Sequence, residues 1–258
     1  KESFMENANE HTTIKKFNSS IDELQKIGKK ILALELPFKQ LELDMHINVN
    51  YVTKLFAMRQ FDQLKAMFAL FDNENHILIS RSMFEGAVYI GCFCRDIELA
   101  KDWRNYSFVV DQMRIDNGDK VPDEVVESLR NKKAEIDKFK NKKGQFYLSW
   151  TKNKSVKDLS SIAGLEHFYN MYYSKMSDFH HWGTKSFGVR YDCSISNINR
   201  LNTAEVKLES LIAWCMSISS IINVLFILSA LAKDSELHNE VEKLRKELLN
   251  LDGMKATT

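Results

Sequence analysis

From Ile14 to Leu36 the apolar residues Phe17, Ile21, Leu24, Ile27 and Ile31 recur at intervals of three and four, the spacing that lines one face of a helix. Pro37 is expected to end this helix, because proline lacks the N–H and its ring clashes with the preceding turn. A second helix is predicted over roughly Leu41 to Phe71, carrying Leu55, Phe56, Met67, Phe68 and Leu70. A third starts near Asn75 and runs through Asp96. Gly86 and Gly91 lie inside it, where each weakens the helix by about 1 kcal/mol relative to alanine, so their expected role is close packing against another helix.

Glu98 to Asp116 reads as a further helix closed by Asn117-Gly118, and Pro122 followed by Asp123 and Glu124 opens the next, expected to end near Gly144. Ser155 and Asp158 have the spacing of a capping box, opening a short helix that Gly164 stops. Leu165 to Trp182 is predicted as one helix. Gly183 to Leu201, rich in Ser and Asn, is expected to be irregular and to cover something. Asn202, with Glu205 three residues on, should cap a long apolar helix ending at Ala232. Beyond Lys233 the residues Leu237, Val241, Leu244, Leu248 and Leu251 form a stripe of about two heptads, too short for a coiled coil alone. That stripe lies either on its own domain or in a homodimer contact.

These elements predict an all-α protein, a multi-helix bundle with the long apolar C-terminal helix at its centre. The expected organisation is a frayed polar start over 1–12, one helical domain over 13–232 and a C-terminal helical extension over 233–258. Composition agrees, since 2 prolines and 9 glycines are too few to turn an all-β or α/β chain of 258 residues. Ser210 to Ala232 is uncharged and long enough to span a membrane. Its five serines and Asn223, and the lack of Lys/Arg asymmetry around it, favour a buried central helix with no membrane partner.

With 36 basic and 35 acidic residues the net charge is +1, which exerts no global pull on nucleic acid or anionic lipid. Cys92, Cys94, Cys193 and Cys215 make no disulfide framework, and a reducing cytoplasm is the expected setting. Cys92 and Cys94, two apart on a helix, point about 200° apart and cannot share a zinc ion. The chain holds no HExxH, ExxH, GxGxxG, P-loop or GxSxG motif, so no cofactor and no metal is expected.

Local charge changes this picture. Between Arg130 and Lys157 ten basic residues face only Glu135 and Asp137, with Phe139, Phe146, Tyr147 and Trp150 interleaved. Cations beside rings suit single-stranded nucleic acid, which makes Lys142, Lys143, Trp150, Lys152 and Lys154 candidate binding residues and RNA or another nucleic acid a candidate partner. The competing reading is a solvated charged surface with its rings turned inward.

The third helix also carries Arg81 and Glu85 at i and i+4, with Tyr89 extending the row. In the helix predicted over Leu165 to Trp182, Tyr169, Tyr173, Ser177 and His181 follow one another at fours and form a polar ribbon. Burying both rows is tolerable only if they meet. In a catalytic reading, His181 transfers protons, Arg81 stabilises an anion, Glu85 holds Arg81, and Tyr173 and Ser177 orient the substrate in metal-independent phosphodiester cleavage. Asp178, His181 and Glu85 could instead hold a metal ion, and a purely structural network remains a third alternative.

The pairing of RSMFE, Arg81 to Glu85, with YSKMSDFHH, Tyr173 to His181, resembles a bacterial helical family known only as a domain of unknown function. In that family an Arg-x3-Glu helix precedes a Trp and Lys segment, here Trp150 to Lys157, and then a Tyr-x3-Ser-x3-His helix. The resemblance implies a helical fold with Arg81, Glu85, Tyr173, Ser177 and His181 as a polar core, and no established reaction. More distantly the chain is similar to HEPN bundles, many of which are RNases or nucleotide-binding partners in bacterial defence and toxin systems. It departs from their signature, an Arg followed four to six residues later by His, at each of its 7 histidines. An RNase would have to combine His181 with Arg81 from another helix. The alternative is a non-catalytic helical sensor or adaptor that binds a protein or nucleic acid.

Overall fold

The first helix, α1, runs from Glu2 to Ala33 and stops four residues before Pro37. Continued further, it would set the proline ring against the Ala33 carbonyl and leave that carbonyl without its N–H partner. The chain instead breaks at Leu34 and restarts as α2 (Glu35–Gln40), where Pro37 sits in the first turn and no N–H is missed. The break therefore falls three residues earlier than the sequence suggests. At the other end, helical backbone begins at Glu2, and Glu10 accepts a hydrogen bond from the Ala204 N–H. This computed structural model describes residues 2–71, 75–176, 191–194 and 197–251, with side chains over 10–71, 75–174, 176 and 201–251.

The chain continues through α3 (Asn48–Ala69), α4 (His76–Arg95), α5 (Ile97–Asp116), α6 (Asp123–Asn131), α7 (Lys133–Asp137) and α8 (Val156–Ala163). A single α-turn, α9 (Glu166–Phe168), passes into a π-turn over Tyr169–Tyr173 and a 3-10 turn over Ser174–Met176. A two-stranded antiparallel hairpin, β1 (Tyr191–Ser194) with β2 (Asn197–Arg200), lies in the segment expected to be irregular. The long helix α10 (Ala204–Ala232) and α11 (Ser235–Leu249) complete the bundle.

The helix expected to reach Gly144 is interrupted at Lys132, between α6 and α7, and helical structure ends at Asp137. Lys138 and Lys142 would stand one turn apart in a continued helix and repel, and Asn141 builds a turn instead, its side chain accepting from the Lys143 and Gln145 N–H groups. Gly144 completes that turn at φ +76°. The long apolar helix is capped by Thr203, whose hydroxyl accepts from the Val206 N–H, rather than by Asn202. The Ser155–Asp158 capping box forms as expected, and Gly164 ends α8 in the left-handed conformation.

Helix α10 packs against α1, α3, α4 and α11, which makes it the centre of the bundle. Both α4 and α10 are long and apolar enough to cross a membrane, and within this fold 61% and 67% of their most apolar stretches are buried by neighbouring helices. Two buried serines of α10 find partners inside the protein, Ser220 on the Met216 carbonyl and Ser229 on the Phe226 carbonyl and His238, so an apolar environment costs these two little. Gly91 lets α4 approach α8, since a Cβ there would stand 2.8 Å from the Cβ of Ala163.

The leucine stripe of α11 is consumed by its own chain. Leu237, Val241, Leu244 and Leu248 are buried in the same core as α10, and Lys30 of α1 pairs with Glu247 at 2.6 Å. Of the two roles open to the stripe, the surface it offers to a second copy is therefore already covered.

Candidate functional site

Helix α4 presents Arg81 and Glu85 one turn apart, and the π-turn brings Tyr173 against both. The Arg81 guanidinium donates to the Tyr173 hydroxyl at 2.8 Å and to the Met176 carbonyl at 3.4 Å, and it also stacks on the Tyr173 ring, 4.3 Å from the centroid. The Tyr173 hydroxyl in turn donates to Glu85. The two polar rows meet at this one phenol. Arg81 is only 7% exposed, so its charge is tolerable because it is hydrogen-bonded and lies near a carboxylate. Burial, followed by the hydrogen bond and charge of Glu85, pushes the Tyr173 phenol well above its ordinary range, and the tyrosine is neutral at physiological pH.

The expected continuous helix over Leu165 to Trp182 is not formed in its described part. The Ser174 N–H bonds the Tyr169 carbonyl, five residues back, which widens the turn and stacks the Tyr169 and Tyr173 rings at 5.2 Å and 28°. Phe84 of α4 also packs against Tyr173, with the ring centroids 5.3 Å apart. Ser177, Asp178 and His181 lie outside the described residues, so the candidate site reduces to Arg81, Glu85 and Tyr173. Among the described residues no three His, Cys, Asp or Glu side chains gather to hold a metal ion.

Glu85 faces a cavity of about 360 Å³ between α3, α4 and α5, walled by Phe56, Tyr89 and Trp103 with Gln60 and Arg59. Phe56 meets both Tyr89 and Trp103 edge to face. Burial and the Glu85 charge push the Tyr89 phenol up to about 12. Beside it, and sharing Trp103, runs a larger groove of about 780 Å³ between the start of α3 and α5. Lys101, Arg104 and Lys132 line this groove with the rings of Tyr51, Trp103 and Tyr106, and among the described residues no carboxylate lines it. Arg104 lies over the Tyr51 ring at 4.5 Å and donates to Asn48 at 3.1 Å, which fixes its direction.

The cationic residues picked from the sequence fall elsewhere. Lys142 and Lys143 stand exposed on the turn after α7, away from the groove lining, and Lys154 is exposed beyond it. Lys152 pairs with Asp102 at 2.9 Å and covers the Phe139 ring. Trp150 is 8% exposed and packs against Tyr89 at 5.1 Å and Phe93 at 5.4 Å, and of the residues picked from the sequence it is the one that lines the groove. Tyr51, Lys101, Trp103 and Arg104 are the residues the sequence reading missed. The run Lys101-Asp102-Trp103-Arg104 carried the same cation-beside-ring signal as the longer segment, but only two cations strong.

Fold and site together define a helical-bundle protein in which a buried Arg–Tyr–Glu relay adjoins an aromatic cavity and a cationic groove. The chain belongs to the family of unknown function DUF5677, whose profile matches residues 50–197 and so takes in Arg81, Glu85, Tyr173 and all of the groove lining but Asn48. No curated protein and no solved structure matches the chain.

Proposed function

We propose that this protein is a non-catalytic helical module that binds single-stranded nucleic acid, RNA in the first instance, along the groove between α3 and α5. The observation that carries this reading is the lining: three cations and several partly exposed rings in one groove, with no carboxylate among the described lining residues. Cations neutralise phosphates and rings stack bases whatever their sequence. Burial of Arg81 favours binding over phosphodiester cleavage. Its guanidinium is committed to Tyr173 and Met176, so it braces the site and does not reach a reacting phosphate.

The test is fluorescence anisotropy of labelled single-stranded RNA at 50 to 200 mM salt. With three phosphates neutralised, log K should fall against log salt with a slope of about −2. Lys101→Glu and Arg104→Glu should each weaken binding of every sequence and flatten that slope. Binding that ignores both reversals would remove the groove from consideration, and the appearance of cleaved RNA would restore the enzymatic reading.

A further inference from the structure

The cavity beside the groove has a different chemistry from the groove itself. Gln60 is 1% exposed, and its amide nitrogen donates to the Met83 carbonyl at 2.7 Å while its oxygen has no hydrogen-bond partner in the protein. That oxygen is itself closed off from the cavity, so Gln60 is a fixed part of the wall and offers a ligand no acceptor. The acceptor presented to the cavity is Glu85. One of its carboxylate oxygens is held by the Tyr173 hydroxyl, which sets the orientation of the group and leaves lone pairs free. Gly86 keeps the wall flat between them: a Cβ there would stand 3.0 Å from the Gln60 amide nitrogen and 3.4 Å from the Phe56 ring.

The rest of the cavity suits a flat ligand bearing an anion. Phe56, Tyr89 and Trp103 provide ring surface on which a heterocycle stacks, and about 360 Å³ is within the range of small-ligand sites. Arg59 is exposed at the cavity's edge and makes no ion pair among the described residues. Trp103 belongs to cavity and groove alike, so a base turned out of a strand lying in the groove has an adjacent place to go.

We infer that this cavity receives a guanine base, stacked among Phe56, Tyr89 and Trp103, with its N1–H and exocyclic amine both donating to the Glu85 carboxylate and its phosphate met by Arg59. The inference rests on the nucleic-acid reading of the groove and adds base selection to it. Guanine presents two adjacent N–H donors on its Watson–Crick edge, the pattern that a carboxylate accepts. Adenine and cytosine set an acceptor beside their amine, and uracil flanks its single donor with two carbonyls, so each would place lone pairs against the Glu85 carboxylate.

The experiment uses the full chain and varies the ligand first. Anisotropy is measured with uridine octamers carrying one central guanosine, inosine, adenosine or cytidine, and calorimetry with guanosine monophosphate and adenosine monophosphate. Guanosine is expected to bind about tenfold or more tighter than adenosine, and inosine, which lacks the exocyclic amine, to fall between them. Binding of the free monophosphate identifies a nucleotide as the source of the base, and binding of the octamer alone identifies a strand. In Glu85→Gln the guanosine-to-adenosine ratio should collapse toward one, and the ligand series on the unaltered protein keeps the test decisive if that variant folds poorly. Equal affinity for all four octamers would overturn the guanine inference while leaving the groove reading in place. No binding of any octamer or monophosphate would overturn both.

Discussion

The Tyr173 hydroxyl donates a hydrogen bond to Glu85 across 88 residues of sequence, joining a π-turn at one end of the bundle to the middle of α4. The same oxygen accepts from Arg81, so one phenol satisfies a buried cation and orients a carboxylate that faces a cavity. Removing it leaves two charged groups short of a partner.

Tyr173→Phe should accordingly destabilise the protein by about 1–3 kcal/mol, the cost of leaving a buried polar group unpaired. Urea denaturation measures this directly, with the denaturant slope expected to hold. A loss below about 0.5 kcal/mol, typical of neutral surface changes, would mean that the relay contributes nothing to folding.

Gly91→Ala opposes two effects of different size. Alanine gains about 1 kcal/mol in helix propensity. Its Cβ would stand 2.8 Å from that of Ala163, closer than carbon atoms approach, so α8 must move away from α4. Overpacking of this kind costs about 1–3 kcal/mol, and the net expectation is a lower melting temperature; an unchanged or raised one would show that α8 yields freely.

Stability should fall on the alkaline side. Burial pushes the Cys92 thiol to about 11 from an ordinary 9.0, and Tyr89 to about 12 from 10.0, and it raises Tyr173 as well. All three are neutral when protonated and hold the proton more tightly folded than unfolded. Their contribution is complete below pH 9 and is lost as the pH climbs through 9–12. Urea midpoints at pH 8, 9, 10 and 11 should decline from pH 9 upward, and a flat series would contradict the assigned burial.

Leu244→Ala tests the fate of the α11 stripe. The side chain is 7% exposed within its own chain, so truncation should cost about 2–5 kcal/mol of unfolding free energy. Sedimentation should report the same assembly state as the unaltered protein. A change of assembly state without loss of stability would return the stripe to an intermolecular role.

Amphipathic spacing alone located most helices, because apolar residues at threes and fours define a face whatever it packs against. It predicted α1, α3, α4, α5 and the long apolar α10, and the capping chemistry at Ser155 and Gly164 stood out for the same local reason. The meeting of Arg81 and Glu85 with Tyr173 could be anticipated from burial alone, since two buried polar rows need partners. Tertiary structure decided the rest. The π-turn at Tyr169–Tyr173 forms where stacking and the relay outweigh a regular helix, which no local propensity registers. Trp150 and Lys152, read as surface groups from their charged neighbours, are drawn into the core and onto Asp102. The groove of Tyr51, Trp103 and Arg104 exists only because α3 and α5 lie side by side. Periodicity says which face of a helix is buried; which helix covers it depends on packing between segments far apart in the chain.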